Sequence, residues 1–210
     1  MASMITVTIA RQLGSGGSYI GQQIANRLGI KYIDREVLHL AAEQLGLDAS
    51  ELAHMEEKCS SFWQKLIGIF GMGAPDTYSP PPLRPISDKQ LFDKETEIMK
   101  VLAAECSSVI IGRGAVDVLP YHPGRVDLFL HAPIKFRIKR TMELYDIKSP
   151  EIARTTIEDS DKERKKYFAQ MTSRDWHCAL NYDLSLDTSC MPLEAIVDML
   201  VDFVKLKTRS

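Results

Sequence analysis

Residues 11–18 read Arg-Gln-Leu-Gly-Ser-Gly-Gly-Ser, a cation followed by three glycines and two hydroxyls. A phosphate is held by backbone N–H groups that point inward with no Cβ in the way, and by the positive end of a helix dipole. Gly14, Ser15, Gly16, Gly17 and Ser18 lie between a β-branched apolar run and a helical pattern, so they are expected to form an anion cradle. The phosphate-loop pattern GxxxxGK[ST] fits only in part. Arg11 stands at its first glycine and Gly17 at its lysine, while Ser18 holds the hydroxyl place that would touch Mg²⁺. The dinucleotide pattern GxGxxG starts equally well at Gly14 and Gly16 but meets Tyr19 at its third glycine, with Asp34 some 20 residues on. Spacing alone leaves both patterns open, beside a third reading in which the glycines only make a tight turn.

The elements around this loop alternate. Residues 4–10 form a short buried strand, and Ile20, Ile24 and Leu28 recur at helical spacing up to Gly29. A brief second strand over residues 31–33 ends at Asp34, and residues 36–45 repeat a helical pattern. Further strands are expected over residues 108–111, 126–131 and 183–187, and helices over 134–145, 150–171 and 193–204. Strands alternating with helices predict a parallel five-stranded α/β sheet with ligands at the carboxyl ends of its strands. Arg11, Arg35 and Arg113 follow the first, second and third strands, so such a sheet converges them at one rim. The plain alternative for each is a solvated or ion-paired surface arginine. Asp34, at a strand end, could orient an acceptor or a Mg²⁺-bound water, or simply cap the next helix.

Between residues 60 and 85 the pattern fails, with three glycines and then Ser-Pro-Pro-Pro-Leu-Arg-Pro, which predicts an irregular insertion. Phe62, Trp63, Ile67 and Phe70 within it suit a core or subunit surface better than base stacking. Residues 134–166 hold ten basic against seven acidic side chains, as expected of a basic lid or of a solvated helical hairpin.

Composition narrows the classes. The 210 residues are 45% hydrophobic and 26% charged, ordinary for one globular domain. Lys plus Arg is 26 against 28 for Asp plus Glu, so the net charge of −2 gives no global reason to expect nucleic acid or an anionic membrane. No apolar run reaches the roughly 18–20 residues that span a bilayer, and residues 1–10 lack a basic export signal. The four cysteines match neither a disulfide framework nor paired metal ligands, so a reducing cytoplasm is the default expectation. His177 beside Cys178 makes no metal site without further ligands.

Six segments in order, TIARQLGSGGSYIG, LGIKYIDRE, SVIIGRGA, VDLFLHAPIKFRIKR, IEDSDKERKKYF and NYDLSLDTS, together resemble the cytidylate kinase-like family of P-loop nucleoside monophosphate kinases. The resemblance implies a three-layer P-loop fold over residues 1–210, with a helical lid over 134–171, and phosphoryl transfer from Mg·ATP to a nucleotide such as CMP or dCMP. It places residues 14–18 around the donor phosphates with Ser18 as the Mg²⁺-linked hydroxyl. It places Arg113 on the acceptor nucleotide, Arg137 and Arg140 among the lid arginines that close on the transferring phosphoryl, and Asp161 with Arg164 as an acidic and basic pair beyond the lid. The chain departs from cytidylate kinases at Gly114, where they carry an acid, at Leu40, where they carry an arginine, and at Arg35, where they carry a small hydroxyl residue.

The expectation is therefore an ATP-dependent kinase of a nucleoside monophosphate or related small phosphate acceptor, with Arg11, Arg113, Arg137 and Arg140 as charge stabilisers. Asp34, Arg35, Arg113, Asp161 and Arg164 are expected to meet the acceptor. The partners are nucleotide substrates, with no nucleic acid or membrane, and self-association is left open. Two rivals stand beside it: a nucleotide-binding regulator that has lost turnover with the loop lysine, and a dinucleotide-dependent oxidoreductase using the same loop and Asp34.

Overall fold

Val7, Ile9, Val109, Ile111, Leu128 and Leu130 are each at most 1% exposed, which is how strands covered on both faces should read. They belong to β1 (Thr6–Arg11), β3 (Ser108–Ile111) and β4 (Arg125–His131), which with β2 (Lys31–Ile33) and β5 (Leu184–Asp187) make one parallel sheet in the order β2-β3-β1-β4-β5. The structure, a computed structural model, describes residues 4–34, 37–38 and 89–209. Arg35, Leu40 and the expected insertion at 60–85 lie outside the described residues.

The strand order places β1 at the topological switch point. The chain leaves β1 for β2 at one edge, returns to β3, and then crosses to β4 and β5 on the other side. Val7 pairs with Val109 on one side and Val126 on the other, and Ile9 with Ile111 and Leu128. The crevice at the carboxyl end of β1 is where a sheet of this kind binds ligands.

One face of the sheet is covered by α1 (Gly17–Leu28) and a last helix, Leu193–Lys207, whose Ile196, Val197, Leu200 and Val204 are fully buried against Ile20 and Ile24. Burying each such side chain contributes roughly 1.5–3 kcal/mol, so this layer anchors the loop that opens α1. Gly21 lets α1 approach closely, since a Cβ there would stand 2.5 Å from Ile111 Cδ1. α1 stops at Gly29, whose φ of 64° no other residue adopts as cheaply.

The other face carries α2 (Lys89–Glu105), with Ile98, Met99 and Leu102 on Ile33 and Ile110. A short helix, α3 (Ala115–Val118), follows β3; the sequence patterns did not announce it. Beyond β4 come α4 (Ile134–Tyr145) and α5 (Pro150–Thr172), an antiparallel pair, and the Leu193–Lys207 helix is α6. Ser149 caps α5 by accepting from the Ile152 N–H at 3.3 Å, with Pro150 as its first residue. Cys178 and Cys190 are free thiols. Among the described residues no helix is long and apolar enough to cross a membrane.

Candidate functional site

The loop after β1 is laced to its surroundings bond by bond. Gln12 N–H donates to Leu130 O at 3.0 Å, and its side-chain oxygen accepts from Ala132 N–H at 3.3 Å. Ser15 Oγ donates to Gln12 O at 2.9 Å, and Ser15 O accepts from the buried Thr188 hydroxyl at 2.6 Å. Leu13 is held twice: its N–H donates to Asp161 Oδ1 at 3.3 Å and its carbonyl accepts from Arg137 Nη1 at 3.3 Å. Hydrogen bonds on both sides hold the loop in one conformation, as electrostatic preorganisation requires.

The loop ends in the N-terminus of α1. Gly16 is the cap residue at φ 87°, no side chain caps the helix, and its first turn carries no acid. The first N–H groups of α1 stand at the positive end of the helix dipole, where an anion is favoured. Ser18 sits half-buried in that first turn. Arg140 leans over the loop: a Cβ on Gly16 would lie 3.6 Å from its Nη2. Its Nε is buried with no hydrogen-bond partner, a donor that a bound anion would satisfy.

Arg137 makes contacts that hold the loop in place. It is 7% exposed, and its Nη1 lies 2.5 Å from Asp161 Oδ2 as well as on Leu13 O. Arg137 and Asp161 therefore strap the loop to α4 and α5. The physical reason is the close approach of α4: a Cβ on Gly14 would stand 2.7 Å from Arg137 O, so the helix face bearing Arg137 is sealed against the loop. Asp34 likewise takes the capping alternative, its Oδ1 accepting from Val37 N–H at 3.1 Å. Arg35 lies outside the described residues.

Beside the loop opens a small cleft of about 110 Å³. Its walls bring together Arg11, Arg113, Arg164, Tyr167, Phe168 and Trp176. Gly112, Arg113 and Gly114 all have positive φ, 77°, 55° and 64°, a left-handed run that lifts the backbone over the end of β3. Arg113 is strained there, as functional positions often are. Its Nη2 is 2.5 Å from the fully buried Glu95 Oε2, and its guanidinium lies 5.8 Å from the Tyr167 ring centre. Glu95 has no local signature; on sequence it is one more charge of a polar helix.

Arg164 stands 3.6 Å from Asp161 Oδ1 and is a quarter exposed. Burial, and then the positive charge of Arg11, press its guanidinium down to about 9. The direction fits a site whose positive charges would favour a bound anion. The floor of the cleft is structural: Thr8 Oγ1 donates to Asp127 Oδ1 at 2.6 Å, and Arg125 joins Asp127 at 2.9 Å. Trp176 and Tyr182 pack on Phe129 with ring centres 5.4 and 5.1 Å away, closing the far wall.

For Mg²⁺ the fit rests on Ser18, because no cluster of His, Cys, Asp or Glu among the described residues could hold an ion by itself. Mg²⁺ commonly comes bound to substrate phosphates and keeps several waters, so one hydroxyl is an adequate protein contribution.

A glycine loop leading into a helix N-terminus at the switch point of a β2-β3-β1-β4-β5 sheet defines the P-loop kinase fold. Solved structures share it at low identity. An uncharacterized protein from Eubacterium ventriosum superposes with a TM-score of 0.71 at 19% identity, over 96% of this chain and 99% of that one. A gluconokinase from Sinorhizobium meliloti gives 0.50 at 14% identity, over 98% of this chain and 94% of its own. A shikimate kinase from Bacteroides thetaiotaomicron gives 0.50 at 13%, over 97% and 99%. No curated protein matches the sequence. The model of the cytidylate kinase-like family matches residues 6–190, and the chain belongs to that family.

Proposed function

We propose that the protein is a phosphotransferase that uses Mg·ATP to phosphorylate a nucleoside monophosphate or a related small phosphate-bearing acceptor. The observation that supports it most is the uncapped N-terminus of α1 behind a rigid glycine loop, with Arg140 above it and Arg11, Arg113 and Arg164 in the adjoining cleft. Phosphoryl transfer asks a protein chiefly to position two substrates and to neutralise charge on the transferring oxygens. An acceptor oxygen bonds to the γ-phosphorus as the bond to the β–γ bridging oxygen breaks; ADP leaves and the acceptor's proton passes to solvent.

In this reading residues 14–18 hold the donor phosphates by their N–H groups. Ser18 offers its hydroxyl to Mg²⁺, which when bound neutralises phosphate charge. Arg140 and Arg11 face the donor, while Arg113 and Arg164 meet the acceptor's anionic group. Arg137 and Asp161 act as positioning residues. Turnover of this kind belongs in the cytoplasm, where ATP is supplied.

The test is ADP release with Mg·ATP against a panel of nucleoside monophosphates and small phosphorylated metabolites. Acceptor-dependent release above the ATP-only rate is expected for at least one phosphate-bearing member. Saturable ATP binding with no release across the panel would favour the second reading, a nucleotide-binding regulator, whose support is Gly17 in the lysine position.

A further inference from the structure

Arg11 and Gly17 are the two positions at which this loop departs from GxxxxGK[ST]. In the structure they are not independent. A Cβ on Gly17 would stand 2.6 Å from Arg11 Cβ and 2.9 Å from its Cγ, closer than side chains approach. The stem of Arg11, leaving the end of β1, occupies the space into which a side chain at 17 would grow from the first turn of α1. Farther along, a Cβ on Gly112 would overlap the Arg11 Nη1. Gly112 thus has two reasons to be glycine, its φ of 77° and the guanidinium lying across it.

From these contacts we infer that the loop's phosphate-binding cation has been relocated from position 17 to position 11, and that residues 11, 17 and 112 form one coupled set. The inference rests on the phosphotransferase reading for the ligand it names, the β- and γ-phosphates of a nucleoside triphosphate. In the usual pattern the lysine stands on the helix side and the first position is glycine. Here the exchange is reversed: the cation enters from the strand side, and glycine at 17 leaves it room. Arg11 reaches the cleft shared with Arg113 and Arg164, and its charge is felt at Arg164. A guanidinium also offers a planar fork where an ammonium offers a point charge, which suits an approach flat across Gly112.

Coupling of this kind is read by a double-mutant cycle. The probe is the Mg²⁺ complex of a non-hydrolysable ATP analogue, titrated by calorimetry into wild type, Arg11→Gly, Gly17→Lys and Arg11→Gly/Gly17→Lys, with folding checked by circular dichroism and acceptor-dependent ADP release measured in parallel. Arg11→Gly is expected to weaken binding by roughly 10- to 100-fold, the range of one lost charge-assisted contact. Gly17→Lys is expected to lose affinity and melting temperature, since two side chains then compete for one space. The double variant is expected to regain at least tenfold over Arg11→Gly. Arg11→Gln keeps most of the stem over Gly17 without the charge, and should bind as weakly as Arg11→Gly if either glycine variant unfolds.

Wild-type affinity in Arg11→Gln, or a double variant no better than its worse single parent, would overturn the relocation. An intact cycle in binding with no ADP release from any variant would instead fail the phosphotransferase reading and leave the relocation standing. Release by wild type with an uncoupled cycle would do the reverse.

Discussion

Replacing Arg113 by alanine is expected to lower the unfolding free energy by roughly 3–5 kcal/mol, the cost of removing one partner from a buried ion pair. Glu95 is fully buried and its carboxylate lies 2.5 Å from Arg113 Nη2, so the variant leaves a charge that was set against that cation. Residue 113 also sits at φ 55°, where alanine is no better accommodated than arginine. The loss of stability and the loss of acceptor contact are separable. Arg113→Met with Glu95→Leu replaces the pair by apolar groups and should restore most of the stability, as such exchanges commonly do, while acceptor-dependent turnover stays lost. Urea unfolding of the three proteins decides it. An Arg113→Ala variant within 1 kcal/mol of wild type would show that the pair does not hold α2 to the β3 loop.

Gly14→Ala is the second large effect. The added methyl would stand 2.7 Å from both Arg137 O and Thr141 Oγ1, and 3.0 Å from Arg137 Cα, at a backbone φ of 80°. Two of those neighbours are main-chain atoms of α4 and cannot rotate away. The left-handed penalty of roughly 1–2 kcal/mol adds to an overpacking cost of roughly 1–3 kcal/mol. Because the loop must lift off α4, the N–H groups of the cradle move as well, and nucleotide affinity should fall more than tenfold. Gly29→Ala is the control: its φ is 64°, yet nothing lies within 4 Å of the added methyl. It should cost only about 1 kcal/mol and leave nucleotide binding alone. Equal thermal shifts in the two variants would contradict the account of how the loop is held.

What could be read without the structure divides along physical lines. The five strands and the glycine loop were legible because β-branched runs and glycine clusters act locally, within a few residues of chain. Arg137 and Arg140 share a helix face by spacing, and the spacing is correct. That Arg137 turns into a strut while Arg140 hangs over Gly16 depends on where α4 meets the loop, a contact made across more than 120 residues of chain. Glu95 was invisible for the same reason: nothing near it in sequence says that Arg113 arrives opposite. Asp34 had two readings of similar strength, and the capping contact forms because Val37 N–H is only three residues away. The aromatic wall of Tyr167, Phe168 and Trp176 is gathered from the end of a charged helix and the turn beyond it, and no periodic pattern marks it.

The central claim is that this loop, without a lysine in its usual place, binds the phosphates of ATP with Arg140 above it. The most direct measurement is calorimetric titration of Mg·ATP into wild type and Arg140→Ala, with inorganic pyrophosphate as competitor. Saturable one-site binding, competed by pyrophosphate and weakened by roughly 10- to 100-fold in Arg140→Ala, is the predicted result. No binding by the wild type, or binding indifferent to both pyrophosphate and Arg140, would contradict it.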